Sequence, residues 1–184
     1  MGIKRYFAKS DNTITNAYEE NLVTRGTGSN MGASDILEVF SIYGQAASSS
    51  AEKSRVLIKF DTTASTNSIS ADRNSNWVNR IASRSAGDHA WATEGGDYFT
   101  DSSSSFSVSF DGGTEDIEVD ITTLVEQWVS SSNLGQKEDE GVGVFMTSTY
   151  EGASRSYYTK KFFGRGTEFH FKKPYIEARW NSST

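Results

Sequence analysis

The sequence predicts an all-β protein, a jelly-roll-like antiparallel β-sandwich with one or two short helices. Three observations predict it. Short runs of apolar–polar alternation recur along the chain, as in FSVSF at 106–110 and DIEVDI at 116–121. Alternation with period two turns one face of a strand inward and the other to water, the habit of antiparallel sheets. Ser, Gly, Asn and Asp separate these runs as turn residues, and helical spacing is confined to two short stretches. Many short half-buried strands joined by turns pack as a sandwich or jelly roll.

The elements follow in chain order. NTIT at 12–15 alternates, and DILEVFSIYG at 35–44 carries Ile36, Val39, Phe40, Ile42 and Tyr43 in a β-rich run. RVLIKFD at 55–61 sets Val56, Ile58 and Phe60 on one face. NWVNRIAS at 76–83 is a candidate short helix with Trp77, Val78 and Ile81 on one side. Two alternating strands come next, with Phe106, Val108 and Phe110, then Ile117, Val119 and Ile121, turned inward. TTLVEQWVSS at 122–131 breaks the period. Its apolar residues predict a helix from Leu124 to Ser130 with Trp128 facing the core, and Thr123 and Glu126 stand in capping-box relation. GVGVFM, YYTKKFF, EFHF and YIEARW complete the set of strands. The one proline, Pro174, precedes YIEARW at the point where a missing N–H costs least. Ile176, Ala178 and Trp180 share one face of that last strand, which closes the sheet beside the early strands.

The chain reads as one domain, 1–184, with residues 1–7 and 181–184 as candidate contact arms. The serine-rich stretches at 46–54 and 102–105 are loops within it. Hydrophobic residues are 35% and aromatics 12%, so Phe, Tyr and Trp carry much of the burial. A formal charge of -6 argues against general nucleic-acid binding. The absence of cysteine excludes disulfides and thiolate zinc sites and fits synthesis in a reducing cytoplasm. No apolar run is long enough to span a bilayer, the opening MGIKRYFAKSDNT has no apolar signal region, and Tyr6 stands where myristoylation requires Ser or Thr.

A search for chemistry assigns no catalytic, cofactor-binding or metal-binding residue. His89 lies in a loop pattern and His170 in a strand pattern, and no nucleophile elbow, P-loop or zinc-protease motif is present. GTGSNMG at 26–32 fits a tight turn better than a phosphate loop. Asp111, Glu115 and Asp116, and separately Glu94, Asp97 and Asp101, are the acidic stretches of the kind calcium selects; neither matches an EF-hand, and both read as solvated faces. Lys160, Lys161, Arg165, Lys172 and Lys173 interleave with Phe162, Phe163, Phe169 and Phe171. That pattern suits a surface for nucleic acid or an acidic partner, or a sheet with phenylalanines inward and lysines outward; the alternation favours the sheet. Trp91 and Tyr98 are the loop aromatics placed to stack on a sugar or to plug local packing.

The order of the pieces resembles the DNRLRE-type β-sandwich family. The matching positions are Asp11 and Ile14; Arg55, Leu57, Phe60 and Asp61; Asp120, Ile121, Thr122, Leu124, Val125 and Trp128; and Pro174 and Ile176. The stretches NMGASDILEVFSIYGQ, WATEGGDYFTD and YYTKKFFGRGTEFHFKKPYIEARW look like virion structural proteins of tailed, especially marine, bacteriophages that carry this sandwich. The resemblance implies a non-enzymatic virion component made in the host cytoplasm: a head decoration (cement) protein or another accessory capsid or tail part. Its partners would be the major capsid protein or tail components, with no membrane, nucleic acid or cofactor. Such work uses symmetric copies, so a homo-oligomer, a trimer for instance, is expected. The alternative is a carbohydrate-binding or host-adhesion module on the virion surface, with Trp91 and Tyr98 as its aromatic platform.

Overall fold

The computed structural model describes residues 1–60, 62, 74–82, 87–134, 137–155 and 157–181, with backbone alone for 131–134. Asp61 of the resemblance and residues 182–184 of the expected C-terminal arm lie outside the described residues. The order is β1 (Gly2–Thr15), β2 (Ile36–Tyr43), β3 (Ala51–Phe60), β4 (Asn79–Ile81), β5 (His89–Ala90), α1 (Thr122–Leu134), β6 (Val142–Val144), α2 (Ser148–Glu151), β7 (Tyr157–Phe163), a 3₁₀ turn (His170–Lys172) and β8 (Tyr175–Trp180). The class is all-β, with antiparallel pairing at every ladder among the described residues and short helices only.

The main sheet runs β7-β2-β3-β1-β8, with β6 also on β3, and β4 and β5 form a separate hairpin. β1 serves two partners in succession. Thr15 to Ala8 pair with Ser54 to Phe60 of β3, and Phe7 to Gly2 pair with Tyr175 to Trp180 of β8, with a register shift between Ala8 and Ser10. β2 holds β3 only at Ser41–Tyr43. Beyond that it leaves the ladder and pairs with β7 along Ile36–Ile42. Where the two strands part, Ser54 fills the gap, its hydroxyl accepting from Phe40 N at 2.9 Å and donating to Glu38 O at 2.7 Å. β6 takes the edge β2 gives up, pairing with Val56–Ile58. Entry into β6 needs the positive φ of Gly141 (90°), where a Cβ would also strike the Ile58 carbonyl.

Both faces of β3 are buried. Val56, Ile58 and Phe60 on one face pack with Leu37 and Val39 of β2, so β2 and β7 cover that face as a second layer. Phe162, Val142, Val144 and Ile176 extend this core. On the other face Leu57 joins Ile14 and Trp77. The strand at 55–60 therefore stands as read, and so do the last strand beside β1 and the helix that buries Leu124 and Trp128. The helix is longer than Leu124–Ser130, beginning at Thr122. Its entry is held by the Asp120 carboxylate, which accepts from the Thr122 N–H at 2.9 Å and hydroxyl at 2.6 Å.

Three expectations are corrected. NWVNRIAS is a strand entry, not a helix: the Asn76 side chain turns the chain by accepting from the N–H groups of Val78 and Asn79, and the Val78 carbonyl then accepts from Trp91 N across the hairpin rather than from Ala82 N. EFHF is not a strand. His170–Lys172 closes as a 3₁₀ turn, while Lys173 before Pro174 is extended, as the residue before proline must be. FSVSF and DIEVDI are not in any ladder, and Phe106, Val108 and Ile117 are exposed. Alternation marks a segment able to be a strand; the ladder also needs a partner backbone. Residues 2–7, part of the candidate contact arm 1–7, pair with β8, so any contact they make is made as part of a sheet.

Candidate functional sites

Two features stand out from the frame: a buried arginine and an exposed aromatic surface. Arg55 points from the β3 face that carries Leu57. Its Nε and Nη2 donate to Glu151 Oε1 and Oε2 of α2 at 2.9 and 2.7 Å, a two-pronged pair. Nη1 donates to Gly95 O at 3.0 Å. The rings of Trp77, Tyr98 and Phe145 surround the guanidinium at 5.3, 5.6 and 5.0 Å. Burial works against its charge, but the Glu151 carboxylate outweighs that and holds the pKa above the ordinary arginine value. Gly95 adopts φ 88° against the Trp77 ring, a place only glycine fits. The cage ties β3, α2 and the 93–98 loop together, and its polar groups are turned on one another.

Tyr98 lines this cage, and Trp91 shares its local packing. Both pack on the Ile14–Leu57–Trp77 cluster. Trp91 Nε1 donates to Asn76 O at 2.9 Å and the Tyr98 hydroxyl to Gly95 O at 2.8 Å. Burial pushes the Tyr98 pKa up to about 12. Their loop context hid this, because only the tertiary fold brings Trp77 and Arg55 beneath them.

The acidic stretches serve their own loops. Asp97 accepts from the N–H groups of Ala92 and Thr93. Asp101 is bonded by Lys137 at 2.7 Å and Ser103 at 2.5 Å, which hold its carboxyl well below the usual range. Glu115 caps the turn at Gly112, and that bond lowers its pKa. Among the described residues, no three acidic or histidine side chains gather as a metal site. His89 is exposed in β5, and His170 is exposed and lies against Phe7, ring centroids 4.7 Å apart.

Four of the five basic residues face partners within the chain. Lys160 donates to Gly113 O at 2.6 Å and sits 3.9 Å from the Phe110 ring. Lys161 faces Glu38 at 3.6 Å, and Lys172 faces Asp116 at 3.4 Å. Arg165 lies 3.5 Å from Asp11, whose carboxylate also accepts the Arg165 N–H. Burial raises the Asp11 pKa in spite of that N–H and that positive charge. Of the interleaved phenylalanines, Phe162 and Phe163 turn partly inward as expected. Phe169 and Phe171 do not: they are 55% and 84% exposed, because their segment is a turn.

Those two rings belong to two neighbouring aromatic groups on the same turn. Phe171 meets His170, His170 meets Phe7, Phe7 meets Tyr175, and Phe169 meets Phe163, with centroids 4.7 to 5.9 Å apart. Arg5 stacks over Tyr175 at 4.6 Å while its Nε holds Glu177 at 2.6 Å. Sequence reading missed this surface because it took EFHF for a strand with its phenylalanines inside. No family model matches the chain, and neither a curated protein nor a solved structure does.

Proposed function

We propose that this chain is a non-enzymatic structural component of a bacteriophage virion, a head decoration (cement) protein or another accessory capsid or tail part. The observation that carries the reading is the aromatic surface on the 3₁₀ turn and the β1–β8 ladder. Exposed Phe169, Phe171 and Tyr175 beside Arg5 have the composition of an interface core, rich in aromatic rings and arginine. An 84%-exposed Phe171 gains most by burial against another protein. The contacts would be with the major capsid protein or tail components, in symmetric copies. The work is burial and strand pairing, with no bond made or broken. The rings are mutually tilted by 46 to 77°, which suits interlocking with protein side chains better than a flat stack on a sugar.

Mass spectrometry of purified particles tests the reading. The chain is expected in the particle at a copy number commensurate with the capsid or tail lattice, and Phe171→Ala with Tyr175→Ala is expected to lower that occupancy while leaving the isolated melting curve in place. Absence of the chain from particles refutes it. Binding to a polysaccharide, lost in the same double variant, would favour the host-adhesion alternative.

A further inference from the structure

We propose that Asp116–Ile121 is a strap for the open edge of β8, docking there as an added strand that closes this side of the sheet. β8 is the outermost strand on its side, and among the described residues nothing pairs with its outer edge. Asp116–Ile121 alternates strictly, yet no residue from Phe106 to Asp120 makes a backbone-to-backbone hydrogen bond with another described residue. A segment patterned as a strand and a strand edge without a partner are complementary needs.

The two already meet at one end. Lys172 Nζ, just before β8, stands 3.4 Å from Asp116 Oδ2. Glu118 acts electrostatically on Arg179 within β8. The segment is pinned at both ends. Lys160 holds Gly113 O and Phe110 on one side, and the Asp120 carboxylate is fixed to Thr122 at the start of α1 on the other. Only the short span between these pins has to move.

The chemistry of the docked strand matches the edge. Asp116, Glu118 and Asp120 would add an acidic row beside Lys172 and Arg179. Glu177, the one acid of β8, is already bonded by Arg5 and Arg179 at 2.6 Å each. Ile117, Val119 and Ile121 would extend the Ile176–Ala178–Trp180 row and cover the Trp180 ring, which is 49% exposed. With the strap docked, an acidic strand forms the outer boundary of the sheet. With it undocked, β8 offers its backbone to a strand of another chain. The inference does not depend on the particle reading, since it concerns the isolated chain.

Amide hydrogen exchange on the full chain tests it. In the wild type, amides of 116–121 and of β8 are expected to exchange at least about tenfold more slowly than unstructured amides. Val119→Pro, which blocks ladder pairing in the strap, should abolish protection in 116–121 and lower it in β8, with β3 unchanged. Should Val119→Pro unsettle β3 as well, a charge reversal decides: Arg179→Glu should raise exchange in 116–121, and adding Glu118→Arg should restore protection. Exchange of 116–121 at unstructured rates in the wild type overturns the strap, as does a charge reversal that leaves its protection unchanged.

Discussion

Arg55 and Glu151 show how a single residue can look like chemistry and be frame. The pair is nearly buried, with side-chain exposures of 17% and 9%, and it is bonded by two parallel hydrogen bonds. Removing one partner of such a pair leaves a desolvated charge, which costs about 3 kcal/mol. Glu151→Ala is therefore expected to lower stability by about that much, read as a shift in the denaturation midpoint. Lys53, 3.9 Å from the same carboxylate, would be left beside Arg55 with no acid between them. Arg55 was legible as part of a motif, but nothing in its neighbours along the chain names Glu151, 96 residues away.

Among the elements, β8 was the most legible and EFHF the least. Pro174 sets a boundary, the alternation of YIEARW sets two faces, and both survive in the fold. Its removal would strip β1 of its partner from Gly2 to Phe7 and take Ile176 out of the first core. A chain ending at Lys173 is expected to lose its cooperative thermal transition by circular dichroism; a soluble truncated protein that melts cooperatively would show β8 to be peripheral. EFHF misled because two phenylalanines around a polar residue read as a strand, whereas the turn chemistry of Thr167 to Pro174 governs that stretch. The Thr167 hydroxyl takes the Phe169 N–H, and Lys172 N closes on Phe169 O. NWVNRIAS misled in the same way, because the Val78 carbonyl is taken by Trp91 N, next to the facing strand, and Ala82 N by Asn74 O, which leaves no helical pairing between them.

At the scale of the whole molecule, the sum of its carboxylates sets an acid limit. Asp101, Glu115, Asp120 and Glu177 all have pKa values lowered by hydrogen bonds made in the folded state. A lowered folded pKa contributes stability above the unfolded value that is lost as pH falls. Asp11, raised by burial, acts in the opposite sense, since its folded form takes up a proton first and is relieved by acid. Four groups oppose one, so the melting temperature is expected to fall as pH drops from about 5 to about 3. Lys137→Met, which removes the chief hydrogen bond lowering Asp101, should make that dependence shallower. A flat or rising profile across that window would contradict the balance.

By itself the sequence determined the class of the fold, most of its strands, the helix that buries Trp128 and the position of the closing strand. These rest on local facts: period two, period 3.6, a proline and turn residues. Tertiary structure alone decided that β1 divides between β3 and β8, that β3 is covered on both faces, and that Trp77, Tyr98 and Phe145 line a cage around Arg55. It also decided that Phe169 and Phe171 face out and that Asp116 meets Lys172, just before β8. The physical reason is the same throughout. Periodicity says which side chains share a face, but which backbone lies against that face depends on contacts between residues far apart in the chain.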